Sequence, residues 1–414
     1  MKILIVNISD IQGGAARAAY RLHKALLVEN VDSEMLVLHK HSDDFTVLTT
    51  SQSTLQKTLT IIRSFIESIP VRFYKNRTKT FFSPSFTPFG KIVQKINEMR
   101  PNIVHLHWVS GGVIRVEDFK NINVPIVWSL HDMWAFTGGC HYDEECGAFK
   151  SECGNCKVLG STKQYDLSSK VFQKKKKSYG KIDNMTIVGL SNWIHESAKS
   201  SFLLKDKKHI NLPNPINTDI FKPFSKELAR ELWSLPKDKK LILIGAMYAT
   251  SDPRKGFDEL MESLGKIEDN SVELVVFGSS EPKESQSFGF KTHYLGSLHD
   301  DISLVTLYSA VDGVVIPSLQ ENLSNVIMES LACATPVVGF NIGGNSDMIE
   351  HQINGYLAKP FDTSDLACGI EWVLNAPNYE ILCQNAREKV LKEFDSKVVA
   401  KKYIELYADI LATK

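Results

Sequence analysis

The sequence predicts an α/β protein made of two doubly wound, parallel-sheet domains. Three observations carry that prediction: a series of short apolar runs ending in turn residues, helical stretches between most of them, and one proline-rich break. The runs KILIVNI, SEMLVLH, NIVHLHW, PIVWSL and MTIVGLS precede the break, and KLILIGA, ELVVFGS, DGVVIPS and TPVVGF follow it. A strand covered on both faces reads as a continuous apolar run, whereas a half-exposed strand alternates. The segment Ala15 to Leu27 repeats apolar residues at three- and four-residue spacing, as a helix with one buried side does. Strand then helix, repeated, is the doubly wound pattern.

The break is NLPNPINTDIFKPF, Asn211 to Phe224, whose three prolines exclude regular structure. It is read as a linker at 211–224 between domains 1–210 and 225–395, with a helical tail at 396–414. Such a division suits a chain of 414 residues, too long for one ordinary core. Two similar halves facing each other make a cleft, where a ligand is expected. At 43% hydrophobic and 23% charged the chain is far from a disordered composition. Lys plus Arg (48) balances Asp plus Glu (48), so no global field draws it to nucleic acid or to an anionic membrane. The opening MKILIVNISD reads as a first strand rather than a signal peptide, and no window reaches the ~18 apolar residues of a membrane span. A cytoplasmic protein is expected.

One stretch does not fit the alternation. Residues 55–92 run from the amphipathic LQKTLTIIRSFIESI into VRFYKNRTKTFFSPSFTPF, where Arg72, Lys75, Arg77 and Lys79 interleave with Phe73, Tyr74, Phe81 and Phe82. Read as an insertion, it suits stacking on sugars, lying on a membrane surface, or covering a core edge. Cys140, Cys146, Cys153 and Cys156 form a second irregularity, while Cys333, Cys368 and Cys383 are scattered. The cluster is read as one structural zinc site with four thiolates, with His141 as an alternative ligand and two disulfides as the rival.

The chemistry concentrates in PSLQENLSNVIMESLACATPVVGF. Glu321 and Glu329 stand eight apart, with Asn-Leu-Ser-Asn between a strand end and a helix, and Ser324 suits the N-cap. Backbone N–H groups at Leu323 to Asn325 and the positive end of the helix dipole then favour a phosphate. Glu329 is placed to accept from paired ribose hydroxyls, and Glu321 to reach the group beyond the phosphates. In the first half, Ile11-Gln12-Gly13-Gly14-Ala15-Ala16 follows a strand and opens a helix, where small residues let a backbone approach a ligand. It falls short of a Gly-x-Gly-x-x-Gly fingerprint, which lowers an oxidoreductase reading. His131 ends the strand IVWSL, and His105 and His107 share one strand face, a pattern of either a metal pair or buried hydrogen-bonded histidines.

Taken with NPINTDIFKP and Arg254-Lys255-Gly256, that block resembles the retaining glycosyltransferases of family 4, which have the GT-B fold and a Glu-x7-Glu signature. The likeness is closest to the branch that builds bacterial exopolysaccharides, similar to the colanic acid glycosyltransferases, which also carries a cysteine cluster after a segment like His131 to Trp134. The resemblance implies a nucleotide-sugar donor, with Glu329 on its ribose, Glu321 on its sugar hydroxyls and Lys255 on its diphosphate. It also implies that His131 contacts the donor sugar and that the C-terminal helix crosses back to the first domain. Where many members have Gly-Arg-Leu, this chain has Gly245-Ala246-Met247, and Arg254 is the substitute; Asn322 and Ser324 replace the family's glycines.

The expectation is therefore a metal-independent, retaining transfer from a nucleotide sugar to a hydroxyl of a growing, lipid-linked surface polysaccharide, with a peripheral contact at the inner face of the membrane. The rivals are a nucleotide-sugar epimerase of the same fold and a non-enzymatic glycan or nucleotide binder. The pocket at Phe277 to Ser280 and Gly296 to Leu298 is expected to select sugar and base.

Overall fold

A computed structural model describes residues 1–50, 53–87, 90–245, 252–278, 289–298 and 300–413. The chain separates into two units, Met1–Pro215 with Val399–Lys414, and Ile216–Val398. In the first, β1 (Lys2–Ser9), β2 (Asp32–His39), β3 (Val47–Thr49), β4 (Ile103–Leu106), β5 (Ile126–Leu130), β6 (Met185–Gly189) and β7 (Lys208–Asn211) form one sheet in the order β3-β2-β1-β4-β5-β6-β7. Every pairing is parallel. The helices are α1 (Gly14–Val28), α2 (Thr54–Arg72), α3 (Ile92–Met99), α4 (Leu167–Tyr179) and α5 (Asn192–Ser200).

Because side chains of a strand alternate, β1 feeds two cores. Leu4 and Val6 pack with Leu36, Val104, Trp128 and residues of α3 to α5 on one face. Ile3 and Ile5 pack with Met35, Val37, Val127 and α1 on the other. Burial on both sides explains why the central strands are apolar throughout.

The second unit repeats the plan. Its sheet runs β10-β9-β8-β11-β12-β13, from β8 (Lys240–Gly245), β9 (Val272–Phe277), β10 (Thr292–Tyr294), β11 (Gly313–Ile316), β12 (Val337–Phe340) and β13 (Gly355–Ala358), again all parallel. Its helices are α6 (Lys226–Leu232), α7 (Phe257–Leu264), α8 (Asp301–Ala310), α9 (Asn325–Ala332), the one-turn α10 (Asn345–Met348), α11 (Thr363–Leu374) and α12 (Tyr379–Glu393). The doubly wound α/β class with two parallel sheets is thus present.

The proline-rich segment is built into both units. Asn211 ends β7, Leu212 N donates to Gly189 O at 3.1 Å, and Phe221 is buried. Ile216 pairs with the segment before the last helix, its N–H donating to Phe394 O at 2.9 Å while Ser396 N donates to Ile216 O at 2.9 Å. Arg387 caps the carbonyls of Thr218 and Ala332 at 2.9 and 2.8 Å.

The final helix, α13 (Ser396–Ala412), closes the first unit's second core: Val399, Tyr403, Leu406 and Tyr407 pack against the sheet face of Ile3, Ile5 and Val127. Beneath it, His105 Nδ1 lies 2.7 Å from the Tyr407 hydroxyl and Nε2 lies 2.8 Å from Ser129 Oγ. Both ring nitrogens are therefore used by a hydroxyl, which is the buried, hydrogen-bonded alternative of the sequence reading and not a metal pair. His23 of α1 is held the same way, by Ser33 and Thr46 hydroxyls at 2.8 Å each.

Two outcomes follow from this core. Tyr407→Phe keeps the ring but strips His105 of a buried partner, and should lower unfolding free energy by about 1–3 kcal/mol. Removal of residues 396–414 should leave the first unit without a cooperative urea transition, whereas a truncated chain with wild-type stability would make the helix an appendage. Burial pushes His105 down to about 3 and His23 down to about 4, from an ordinary 6.5. Both stay neutral in the folded protein while the unfolded chain takes up protons below 6.5. Stability is thus fully present above pH 6.5 and is lost as pH falls towards 4, by at most about 1.4 kcal/mol per pH unit for each group. Urea midpoints constant from pH 7 to 4 would contradict neutral burial.

Candidate functional site

In a doubly wound sheet the loops after the first strand and after its neighbour across the reversal of strand order leave in opposite directions and open a crevice at the carboxyl ends. In the second unit those strands are β8 and β11. After β8, residues 246–251 lie outside the described residues, among them Ala246 and Met247; Pro253–Lys255 then form a single 3-10 turn. After β11, residues 317–324 lead into α9.

Gly256 brings the two loops together. Its φ is +66°, and a Cβ there would lie 1.8 Å from Pro317 O, so no other residue fits. Leu319 N donates to Arg254 O at 2.7 Å, pinning the contact. Lys255 Nζ consequently sits 3.0 Å from Glu321 Oε2. Arg254 is turned to Asp252, with Nε and Nη2 at 3.1 and 2.6 Å from its two oxygens. Burial would raise the Asp252 carboxyl, but Arg254 holds it below its usual value. Of the two adjacent cations, Lys255 meets the glutamate and Arg254 is braced by its own aspartate.

A third loop braces Glu321 from behind. Gly344 N donates to Glu321 O at 3.3 Å, and a Cβ on Gly343 would fall 1.7 Å from that oxygen. Ser324 occupies the N-cap of α9, yet its side chain makes no capping hydrogen bond; its carbonyl accepts from Met328 N at 3.2 Å. Leu323 and Asn322 are buried beside it. Glu329, one turn into α9, is only 2% exposed, and its Oε2 accepts from the Tyr308 hydroxyl of α8 at 2.9 Å. A solvated helix carboxylate is therefore excluded for Glu329. At the ends of β9 and β10, Gly278 N donates to Gly296 O at 2.6 Å and the Phe277 ring meets Tyr308 edge-on, while Ser279 and Ser280 of the expected selectivity pocket lie outside the described residues.

The first unit has the same arrangement around β1 and β4. Gly13 is the N-cap of α1 and Gly14 its first residue. Next to them Asp10 is fully buried and accepts from the backbone of His41 and Ser42 at 3.0 and 2.8 Å. Burial works to raise its carboxyl, and those hydrogen bonds hold it lower. His131, directly after β5, has its Nε2 2.8 Å from His107 Nδ1. Burial pushes His131 down to about 4 against the opposing pull of Asp132, so it is a neutral imidazole near pH 7. Asp132 accepts from Trp108 Nε1 (2.8 Å), Trp134 N (2.8 Å) and His141 Nδ1 (2.7 Å). Burial raises its carboxyl, and His141 with these donors brings it below the usual value. His107, Trp108, Ser110, His131, Asp132 and Trp134 line a small, partly open recess. His107 Nε2 and Ser110 Oγ are both buried there with no hydrogen-bond partner among the described residues.

The four clustered cysteines are gathered in one region, where Cys146, Cys153 and Cys156 all act electrostatically on Cys140. All are free thiols; Cys140, Cys153 and Cys156 are buried and Cys146 is exposed. Among the described residues no three or more His, Cys, Asp or Glu are arranged to hold a metal ion. Cys140 and Cys156 also pack with Val71, Phe82, Val158 and Leu167, and Cys153 Sγ accepts from Gly138 N at 3.1 Å. His141 spends both nitrogens on Asp132 and on Ser83 Oγ, 2.9 Å away, so it is no replacement ligand. Lys175, fully buried, donates to the Trp134 and Thr137 carbonyls and anchors the loop.

Three features escaped the sequence. The pair Gly343-Gly344 after VVGF carries the same strand–glycine–helix punctuation as Gly13-Gly14 and was open to the same reasoning. Tyr308 gave no signal, because its helix reads as core. The pairing of His107 with His131 depends on β4 and β5 being neighbours.

Residues 238–376 match the model of a family described as glycosyl transferases group 1. That segment contains Arg254, Lys255, Glu321 and Glu329. The chain is 27% identical over 337 residues to an uncharacterized glycosyltransferase of Methanocaldococcus jannaschii, covering 75% of this chain and 84% of that protein. In fold it is similar to the sucrose-phosphate synthase of Thermosynechococcus elongatus, with a TM-score of 0.70 at 18% identity over 100% of both chains. It is also similar to Anabaena HepE in complex with UDP-glucose, with a TM-score of 0.66 at 16% identity over 99% of this chain and 100% of that one. Residues 238–376 are thus similar to the group 1 glycosyl transferases, and the chain as a whole shares the two-domain GT-B fold of these solved structures.

Proposed function

We propose that the protein transfers a sugar from a nucleoside diphosphate sugar to a hydroxyl of a growing, lipid-linked surface polysaccharide, with retention at the anomeric carbon and without a catalytic metal. The observation that carries the reading is the convergence, at the β8–β11 reversal of strand order, of Lys255 on Glu321 with Glu329 fixed by Tyr308 in the helix that follows. The relatives' names support glycosyl transfer, and the complex of HepE with UDP-glucose supports a donor of that class.

Breaking the anomeric C–O bond leaves charge on the diphosphate. A fixed ammonium and the first-turn N–H groups of α9 stabilise that charge more than they stabilise the ground state. Lys255 is assigned to the diphosphate, Glu321 to the sugar hydroxyls and Glu329 to the ribose hydroxyls. Retention without a covalent nucleophile requires attack from the face the diphosphate leaves: the acceptor oxygen bonds to the anomeric carbon as the diphosphate departs, and the acceptor proton passes to the departing phosphate oxygen. Asp252 spreads the charge of Arg254, which makes Arg254 the lesser contributor. His131, neutral, is kept as the catalytic candidate of the first unit and acts through hydrogen bonds, not as a cation.

Screening nucleotide sugars for released nucleoside diphosphate tests the activity. Release that needs an acceptor supports transfer, and a sugar-nucleotide epimer formed without acceptor overturns it in favour of epimerisation. Lys255→Ala should lower kcat/KM by about 30- to 1,000-fold, or 2–4 kcal/mol, at unchanged thermal stability. Glu329→Gln should mainly raise KM for the donor and Glu321→Gln should mainly lower kcat; equal, small effects from both would return the pair to a structural role. Brief treatment with EDTA should leave turnover intact, and activity that returns only on adding magnesium or manganese would contradict stabilisation by Lys255 and the helix.

A further inference from the structure

Helix α2 is mounted with its polar side inward. Glu67 is buried and accepts from the backbone N–H groups of Ser85, Phe86 and Thr87 and from the Thr87 hydroxyl. Arg63 and Ser64, on neighbouring turns, reach the carbonyls of Thr87 and Gly111 at 3.5 Å each. The outward side is the apolar one. Ile62, Phe65, Ile66, Ile69 and Phe73 follow the i, i+3, i+4, i+7, i+11 pattern of one helical stripe, and all five are exposed, from 37% at Ile69 to 80% at Phe73. The core-cover reading of this insertion is thereby overturned for the stripe, although Phe82 is buried with Val71 as that reading expects.

An exposed row of five large apolar side chains, continuous along three turns, is not ordinary surface. Its charge says what it suits. Between residues 54 and 80 the sequence holds Lys57, Arg63, Arg72, Lys75, Arg77 and Lys79 against Glu67 alone. That single acid is turned inward, whereas Arg72, Lys75, Arg77 and Lys79 are exposed at the end of the stripe. The Arg72 guanidinium lies 4.5 Å from the Phe65 ring centre, at the level of the apolar row. Glu144 is engaged by the hydroxyls of Thr78 and Thr80 at 2.5 and 2.6 Å, and Asp118 acts on Arg63 at the inward side.

We propose that the outward face of α2, with the basic segment 72–79, docks on the anionic surface of a lipid bilayer. Apolar side chains sinking to the acyl boundary beside lysines and arginines at headgroup level is the physical form of an interfacial helix. Among the described residues no helix is long and apolar enough to cross a membrane, so the contact lies on the bilayer. The proposal rests on the transfer reading, whose lipid-linked acceptor it deepens, but uses residues other than those assigned to the donor.

The test is co-sedimentation of the full chain with vesicles of phosphatidylcholine alone and of phosphatidylcholine mixed with phosphatidylglycerol, at low and high salt. Binding to the mixed vesicles, weakened by salt, is expected. The variant K75A/R77A/K79A should bind about fivefold more weakly per charge removed, and F65S/I66S/I69S should lose binding, both with wild-type thermal stability. Equal partition to both vesicles, no binding, or variants that bind as wild type would overturn the proposal. So would self-association without lipid that F65S/I66S/I69S abolishes, which would make the face a contact between copies. Donor turnover on a soluble acceptor should be the same in both variants, so failure of vesicle binding and failure of the transfer reading are told apart.

Discussion

The second unit is organised by a contact with no room for one more carbon atom. Gly256 meets the carbonyl of Pro317, and everything that makes the carboxyl ends of β8 and β11 chemically useful follows from that approach. With a side chain at 256 the Pro253–Lys255 turn would be displaced, Leu319 would lose its hydrogen bond to Arg254, and Lys255 would leave Glu321. Gly343 repeats the device on the far side of the same loop. Loop 317–324 is therefore gripped between two backbones, and its acidic side chain is aimed by main-chain packing, which is stiffer than any side-chain contact.

The first unit positions its polar groups by different means. Asp132 gathers two indole or backbone donors and a histidine, and His107 orients His131. These are networks of side chains in a low-dielectric setting, where each member is costly to remove because its partners stay behind. Burial keeps the histidines uncharged, so the unit offers directional hydrogen bonds where the second offers a lysine.

The fold was legible to the extent that strands are buried on both faces. The nine apolar runs became β1, β2, β4, β5, β6, β8, β9, β11 and β12, while β3, β7, β10 and β13 gave no signal. All four are edge strands of the described sheets, short and mostly part-exposed, so neither apolar run nor alternation marks them. In the candidate site, Glu321 and Glu329 were singled out by their places before and inside a helix that follows a strand, and Lys255 by the family resemblance; that Lys255 meets Glu321 is what the structure adds. Tyr308 and the bond between Arg254 and Asp252 depend on how elements meet, which spacing alone does not encode. The cysteine cluster was legible as a cluster, but its packing was not: spacing alone does not show that Cys140 and Cys156 have Val71 and Phe82 as apolar neighbours.

Helix α13 carries an implication for biosynthesis. Tyr403 and Tyr407 complete a core whose other walls are α1 and the first unit's central strands, yet they leave the ribosome after the whole of residues 216–398. During translation, at ~5–20 residues per second, the second unit has all its strands available while the first still lacks one face of its covering. Ile3, Ile5 and Val127 lack the packing of α13 through that interval, and His105 waits without its phenol. The half that emerges first is the half that finishes last, and for some seconds the nascent chain presents to chaperones a sheet face that the mature protein never shows.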